Sequence, residues 1–408
     1  MRLVKIPSIK TAEQLIIVMF SILPLIDMLN GLISGIPIGT LYKLLLCVVL
    51  FFRLKKNGIK IGKKTLGILI ISIVYIFFSI FYNMIILSER IGNVDYPIKL
   101  LFNITLFSFM YECCKKNKIK CQSLFIMIDY STWVMILCYL VPYALGLGNR
   151  IYAGDIGYKG FFIAQNELNV IIVIMTFFTS YKLSINFRVI DFVKLCLIIL
   201  CGVLLNTKTT LVACLIAVFM WLFDILKNKG LKVKVGSVIL GGIGFWILKD
   251  RVISAISNSV SRFQILQTKH YEGSILTGIL SGRNYYLENA WSDLQTNHTF
   301  IRSMMGNGFC SDVLIEMDLF DVFFYLGLIG AVFVLFFLIW QFIRIYVNCK
   351  KDQTKIRVVS YLVIVGLSFV AGHVLFMAMS GCYFILYCCF LAFYNDDRKI
   401  ACRKEARL

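Results

Sequence analysis

Residues 281–330 place fixed charges of both signs beside a long apolar run. Arg283 and Arg302 come first, then Glu316, Asp318 and Asp321, then a hydrophobic stretch containing Gly327 and Gly330. A carboxylate at the mouth of such a run can take the proton of an attacking hydroxyl, and either Glu316 or Asp318 could do so. If a helix starts near Asp318, Asp321 lies three residues on along the same face. Acidic residues near a helix N-terminus are also favoured by the helix dipole alone, which accounts for Asp321 equally well. Arg283, in Ser281-Gly282-Arg283-Asn284, carries a fork of donors that suits a pyrophosphate. The competing reading is an interfacial arginine among lipid headgroups, and Arg302 is a weaker candidate of the same kind. Between arginine and acids, Gly306 and Gly308 flank Asn307 and permit a turn or a close backbone approach to a substrate.

Two more polar groups stand at the ends of apolar runs. Gln165, Asn166, Glu167 and Asn169 fall within five positions. Such residues are costly near hydrocarbon unless they face the bundle interior or a wet cavity. Asn166 and Glu167 are therefore candidates for lining a substrate groove, although interhelical hydrogen bonds explain some of the set. Lys208, in Asn206-Thr207-Lys208-Thr209-Thr210, can meet a phosphate as a point charge; the same segment also reads as a helix start capped by Thr207 or Thr209. Arg150, in a polar segment at 147–160, is a supporting cation. His270, His298 and His373 read as ordinary loop or helix residues.

The elements that must position these groups are membrane helices. The chain is 59% hydrophobic, with 5 prolines in 408 residues, and apolar runs of about 20 residues recur along it, enough to cross the hydrocarbon of a bilayer. Backbone groups in lipid must bond internally, so the expected class is an all-α polytopic membrane protein. About twelve spans are expected, near 13–36, 38–52, 66–87, 97–113, 123–146, 161–180, 189–206, 209–226, 235–248, 319–343, 358–375 and 378–394. The first run is too long for the apolar core of a signal peptide and reads as a retained span.

The net charge of +20 does not point to nucleic acid. Most of the Lys and Arg fall in alternate short segments (1–12, 53–65, 114–122, 181–195, 227–234, 344–357 and 395–408), where the positive-inside rule puts them, so both termini are expected in the cytoplasm. The segments 147–160 and 206–208 and the long loop 249–318 then face outward. That loop, between spans nine and ten, has near-balanced charge and several aromatic residues, the composition of a folded cap. The chain thus divides into 1–248 with spans one to nine, 249–318 as an extracytoplasmic loop carrying part of the site, and 319–408 with spans ten to twelve and a cytoplasmic tail. The 14 cysteines sit mostly in spans or basic loops, which argues against a disulfide framework. No Cys or His spacing suits a metal, and no cofactor is expected.

In order along the chain, GFFIAQNELN at 160–169, TKT at 207–209, SGR at 281–283, GNGF at 306–309 and EMDLFDVFFYLGLIG at 316–330 resemble the O-antigen polymerase/ligase superfamily of bacterial membrane glycosyltransferases. The resemblance implies a GT-C-like fold in the bacterial cytoplasmic membrane. It implies a metal-independent enzyme acting on undecaprenyl-pyrophosphate-linked glycans at the outer face, without a nucleotide sugar. Arginines of the outer loop bind the pyrophosphate in this family, which implicates Arg283. Ligases carry a His-Asn pair ahead of the Gly-Leu-Ile-Gly helix; Glu316 stands about where that His would be, which favours a polymerase. The usual Ser-Arg or Thr-Arg turn is Thr207-Lys208 here, which keeps the charge but loses the bidentate geometry. The expected partners are the lipid-linked glycans, the bilayer, and a chain-length regulator and flippase of the same pathway. A ligase is the runner-up within the family. A lipid-linked glycan flippase is the rival class, but it should carry midplane charges and repeated halves.

Overall fold

The computed structural model describes residues 12–33, 38–55, 62–86, 95–152, 156–228, 280–296, 299–309, 315–348, 354–372 and 374–394, with single positions at 242, 249, 253, 257 and 277. The first apolar run gives α1 (Ala12–Ser21) and α2 (Leu23–Leu32), bent by 45° where they meet. Pro24 enters the first turn of α2, where its missing N–H leaves no bond unmade. Then come α3 (Ile38–Lys55), α4 (Lys63–Phe81) with a π turn at Tyr82–Ile86, α5 (Asp95–Lys115) and α6 (Cys121–Ala144). The polar segment at 147–160 forms an antiparallel hairpin of β1 (Asn149–Tyr152) and β2 (Ile156–Gly160). It leads into α7 (Gln165–Ile185), α8 (Val189–Leu205) and α9 (Lys208–Asn228). Beyond lie α10 (Arg283–Thr296), α11 (Phe300–Met305), α12 (Asp318–Asn348), α13 (Thr354–Ala371) and α14 (Ala378–Phe393).

A helix occupies every expected span except 235–248, which lies outside the described residues apart from position 242. Five of these helices are long and apolar enough to cross a membrane, or six if the bent pair α1–α2 is one span. The others carry charges, as α5 does with Glu112 and Lys115, or are short, as α14 is. Apart from the hairpin, the architecture is that of an all-α, multi-pass, membrane-embedded protein.

Burial follows hydropathy in the way lipid requires. α7 and α14 are buried along almost their whole length and form the centre. α4 turns Ile71, Val74, Phe77 and Phe81 outward, and α12 turns out Leu328, Val332 and Phe336. Such flanks are unremarkable against hydrocarbon, where apolar side chains gain nothing by hiding.

One backbone device shapes the site. Gly327 interrupts α12 at φ +64, ψ −169, and Gly306 closes α11 at φ +75, ψ −171, both in a region open essentially to glycine alone. The two interlock: a Cβ on Gly306 would lie 2.4 Å from the carbonyl carbon of Tyr325, and one on Gly327 2.3 Å from that of Met304. The strap 306–308 uses this closeness. Asn307 N–H donates to the Phe324 carbonyl at 2.8 Å and Gly308 N–H to that of Tyr325 at 3.0 Å, serving acceptors next to the break. α4 grips the strap from the other side. The Ser79 hydroxyl donates to the Met305 carbonyl at 2.9 Å, Asn83 to that of Gly306 at 3.2 Å, and Tyr75 to that of Leu326. Gly306 and Gly308 thus make the turn and the close backbone approach that the sequence allowed, against α12 and the end of α4. Gly306→Ala or Gly327→Ala should cost at least ~1–3 kcal/mol and lower the unfolding temperature of the solubilised protein. Gly366→Ala in α13, with nothing within 4 Å of the added carbon, should leave that temperature unchanged or raise it.

Candidate active site

Glu316 is held in the left-handed region at φ +64, a conformation a glutamate adopts only when its surroundings impose it. Those surroundings are visible. The Asp321 carboxylate accepts the N–H of Ile315 at 2.9 Å and of Met317 at 3.0 Å, gripping the backbone on both sides of Glu316. Asp318 is fully buried, and its Oδ2 accepts from the Ser368 hydroxyl at 2.6 Å, Val374 N–H at 2.7 Å and Leu375 N–H at 3.1 Å. Gly372 lies against the Glu316 carbonyl, where an added Cβ would come within 2.6 Å. On the far side, Asn103 of α5 donates to the carbonyls of Leu375 and Met377 at 2.8 and 3.0 Å, fixing the connector into α14.

The Glu316 side chain is 38% exposed, and its Oε2 accepts from Arg283 Nη2 at 2.8 Å and from Asn166 Nδ2 at 3.3 Å. Groups from α7, the start of α10 and the start of α12 therefore converge on one carboxylate. Arg283 is 12% exposed; its Nη1 donates to the Leu280 carbonyl at 3.3 Å, and its buried Nε has no hydrogen-bond partner among the described residues. A buried guanidinium with a donor to spare beside a half-open carboxylate is suited to an anionic ligand.

Geometry separates the two carboxylates: Asp318 is enclosed and serves three donors, whereas the Glu316 side chain remains partly exposed. Asp318 and Asp321 share the first turn of α12 but hold different segments, one the connector and the other the backbone around Glu316. Asp318→Ala would strand buried donors at ~1–3 kcal/mol each. The solubilised variant should unfold at a lower temperature, whereas Glu316→Gln should unfold with the unmodified protein.

The remaining candidates divide in the same way. Glu167 is buried and accepts Met379 and Ser380 N–H at 3.0 and 3.2 Å, a negative charge at the N-terminus of α14, where the helix dipole favours it. It anchors the start of α14. Asn169 ties α7 to α9 through Thr209 at 2.6 Å and through Thr210. Thr207 Oγ1 accepts Thr210 N–H at 3.3 Å, the cap that the sequence allowed, which leaves Lys208 half-buried in the first turn of α9. Arg150 stands on the hairpin over the rings of Tyr143 and Tyr158, at 5.8 and 5.3 Å to their centroids. Burial pushes the Tyr158 phenol up to about 12, against the opposing effect of Arg150, so it stays a neutral donor, to the Leu147 carbonyl at 2.8 Å. Arg302 is buried and pairs with Asp293 at 3.4 Å, tying α11 to α10. His270, His298 and His373 lie outside the described residues.

One feature escaped the sequence reading, and two more involve acids, Asp27 and Asp129, that stand out in the sequence only as charges in or near spans. Lys99 of α5 lies 3.4 Å from Asp95 and 4.0 Å from Met377 Sδ, beside the connector into α14; at i, i+4 from an aspartate it looks like an ordinary surface pair. Asp27 of α2 and Lys43 of α3 form a buried ion pair at 2.5 Å. Its only trace was one acid in one span and one base in the next. Asp129 pairs with Lys182 and Lys194 at 2.8 and 2.5 Å, and Asp191 joins the same network, which makes it a helix tie.

Residues 249–396 match the family model described as O-antigen ligase like membrane protein. No curated protein matches the chain. The matched stretch begins ahead of α10, covers α10 to α14 and includes Arg283 and Glu316; Asn166 lies outside it. The match supports the O-antigen ligase/polymerase-type superfamily and suggests a membrane glycan-processing enzyme that transfers glycosyl groups.

Proposed function

We propose that this chain, with the O-antigen ligase/polymerase-type superfamily as its setting, is a polysaccharide polymerase. It transfers a growing glycan from undecaprenyl pyrophosphate to a lipid-linked repeat unit at the outer face of the bacterial cytoplasmic membrane. The observation that carries the reading is the convergence of Arg283, Glu316 and Asn166. In the resting protein Arg283 and Glu316 neutralise each other. A pyrophosphate arriving at Arg283, whose Nε has no partner among the described residues, competes for the guanidinium and releases the carboxylate. The acceptor hydroxyl then attacks the anomeric carbon and gives its proton to Glu316. The bond from that carbon to the pyrophosphate oxygen breaks, and the polyprenyl pyrophosphate leaves with the electron pair, its charge held by Arg283. Asn166 orients Glu316, Asp321 fixes the backbone on both sides of it, Asp318 holds the connector into α14, and Glu167 holds the start of α14. Lys208 and Arg150 are supporting cations of the same end of the bundle. In this reading 249–318 caps the site between the helical blocks 1–248 and 319–408, with both termini in the cytoplasm.

A second reading has a specific basis, the ligase-like description of the matching family. Purified protein in liposomes, given only lipid-linked repeat units, should yield a ladder of products without ATP or nucleotide sugar. A ligase would transfer once to a separate acceptor and give no ladder, and a flippase would give no new glycosidic bond at all.

A further inference from the structure

We infer that α10 and α11 lie in the headgroup and upper acyl region of the bilayer, with Tyr286, Trp291, Phe300 and Ile301 in contact with phospholipid, so that the Arg283–Glu316 pair sits at headgroup depth. The consequence for substrate entry rests on the proposed function; the placement itself does not.

The first ground is an inversion of burial. In α11, Arg302 is 6% exposed while its neighbours Phe300 and Ile301 are 73% and 44% exposed. Water would favour the opposite arrangement, since charged side chains are almost never buried when apolar ones could be. Lipid favours the arrangement seen, and Arg302 meets its need for a partner internally at Asp293. The segment following the cap residue Thr299 thus presents hydrocarbon outward and keeps its charge inside.

The second ground is the pattern around α10. Leu287, Ala290 and Leu294 form one stripe, packed with Ile315, Met317 and Phe324. At 100° per residue, Tyr286 and Trp291 fall on the two flanks of that stripe, each half-exposed, while Glu288, Asn289 and Ser292 lie on the arc between them. The stripe faces protein, so what α10 offers its surroundings is a half-exposed tyrosine and tryptophan on either side of a polar arc, the residue types that gather at the membrane–water boundary.

The third ground is continuity. The Trp291 ring stacks on Phe323 with centroids 6.5 Å apart and meets Phe324 edge-on at 6.4 Å. Both belong to α12, whose Phe320, Leu328, Ile329 and Val332 are exposed on a helix apolar enough to cross the membrane. The Trp291 flank of α10 therefore continues the exposed apolar surface of α12. An anionic group on a lipid-linked molecule travelling in that leaflet would reach Arg283, at the first position of α10, without leaving the headgroup layer.

The test reads Trp291 directly. The full chain and its Trp291→Phe variant are reconstituted in phosphatidylcholine nanodiscs, with and without bromine at a shallow acyl position; the difference between the two proteins isolates the Trp291 emission. That emission should be lost preferentially in the brominated lipid and largely kept in aqueous iodide. A Phe300→Trp variant gives an independent reporter on α11 and should behave alike. Quenching by iodide with none by bromine would put these helices in water and overturn the inference. Protection from both quenchers would place another protein surface there and overturn it equally. Neither readout uses glycosyl transfer, so a failed placement and a failed function remain distinguishable.

Discussion

Glu316→Gln should lower glycosyl transfer by ~10²–10⁴-fold, the range lost with a general base. The side chain keeps its length, and an amide oxygen can still accept from Arg283 and Asn166, so the local geometry and the unfolding temperature should hold. What disappears is the capacity to take a proton. The measurement is the initial rate of ladder formation from lipid-linked repeat units in liposomes, at matched amounts of membrane-inserted protein. Undiminished transfer would remove Glu316 from the chemistry, and with it the reason to read its left-handed backbone as a functional strain. The contrast with Asp318→Ala sharpens the result, since that change should act through stability. A common loss in both variants with a common drop in unfolding temperature would mean that the whole 315–318 segment is structural.

Arg283→Lys should reduce transfer by ~10²–10³-fold, the scale of one lost donor aimed at developing negative charge. Positive charge is conserved, so a simple electrostatic role would survive the change. The planar fork is lost, and with it the means to hold Glu316 through Nη2 while offering Nε to a second acceptor. Full-length polymer from this variant would exclude a pyrophosphate role that depends on the guanidinium. Combining it with Glu316→Gln provides a further check. Groups that act as a unit are grossly non-additive, so the double variant should be little worse than Glu316→Gln alone.

Much of this was legible because hydropathy and local spacing report on local physics. An apolar run of about 20 residues must be a helix in lipid, and the helices stand where those runs are, with the stretch at 235–248 outside the described residues. Arg283, Asn166 and Glu316, each at the end of an apolar run or in the polar segment between two, were visible as candidates for the same reason. The hairpin at 149–160 was less visible, because glycine and tyrosine in a short polar segment suit a loop as well as two strands.

The division of labour among the charged residues was not in the sequence. Glu316, Asp318 and Asp321 are near neighbours of the same chemical type. Their roles depend on which distant backbone donors need an acceptor, and for Asp318 those donors are Val374 and Leu375, more than fifty residues away. Glu167 was spent on the start of α14 for the same reason. Gly306 lies against the backbone at the Gly327 break and Gly308 against Ser79 and Asn83, neighbours that no local spacing announces. By itself the sequence determined that helices cross a membrane and that polar residues gather where those helices end. The tertiary structure decided which carboxylate stays open, because only the assembled bundle shows which donors remain once every buried backbone group has found its bond.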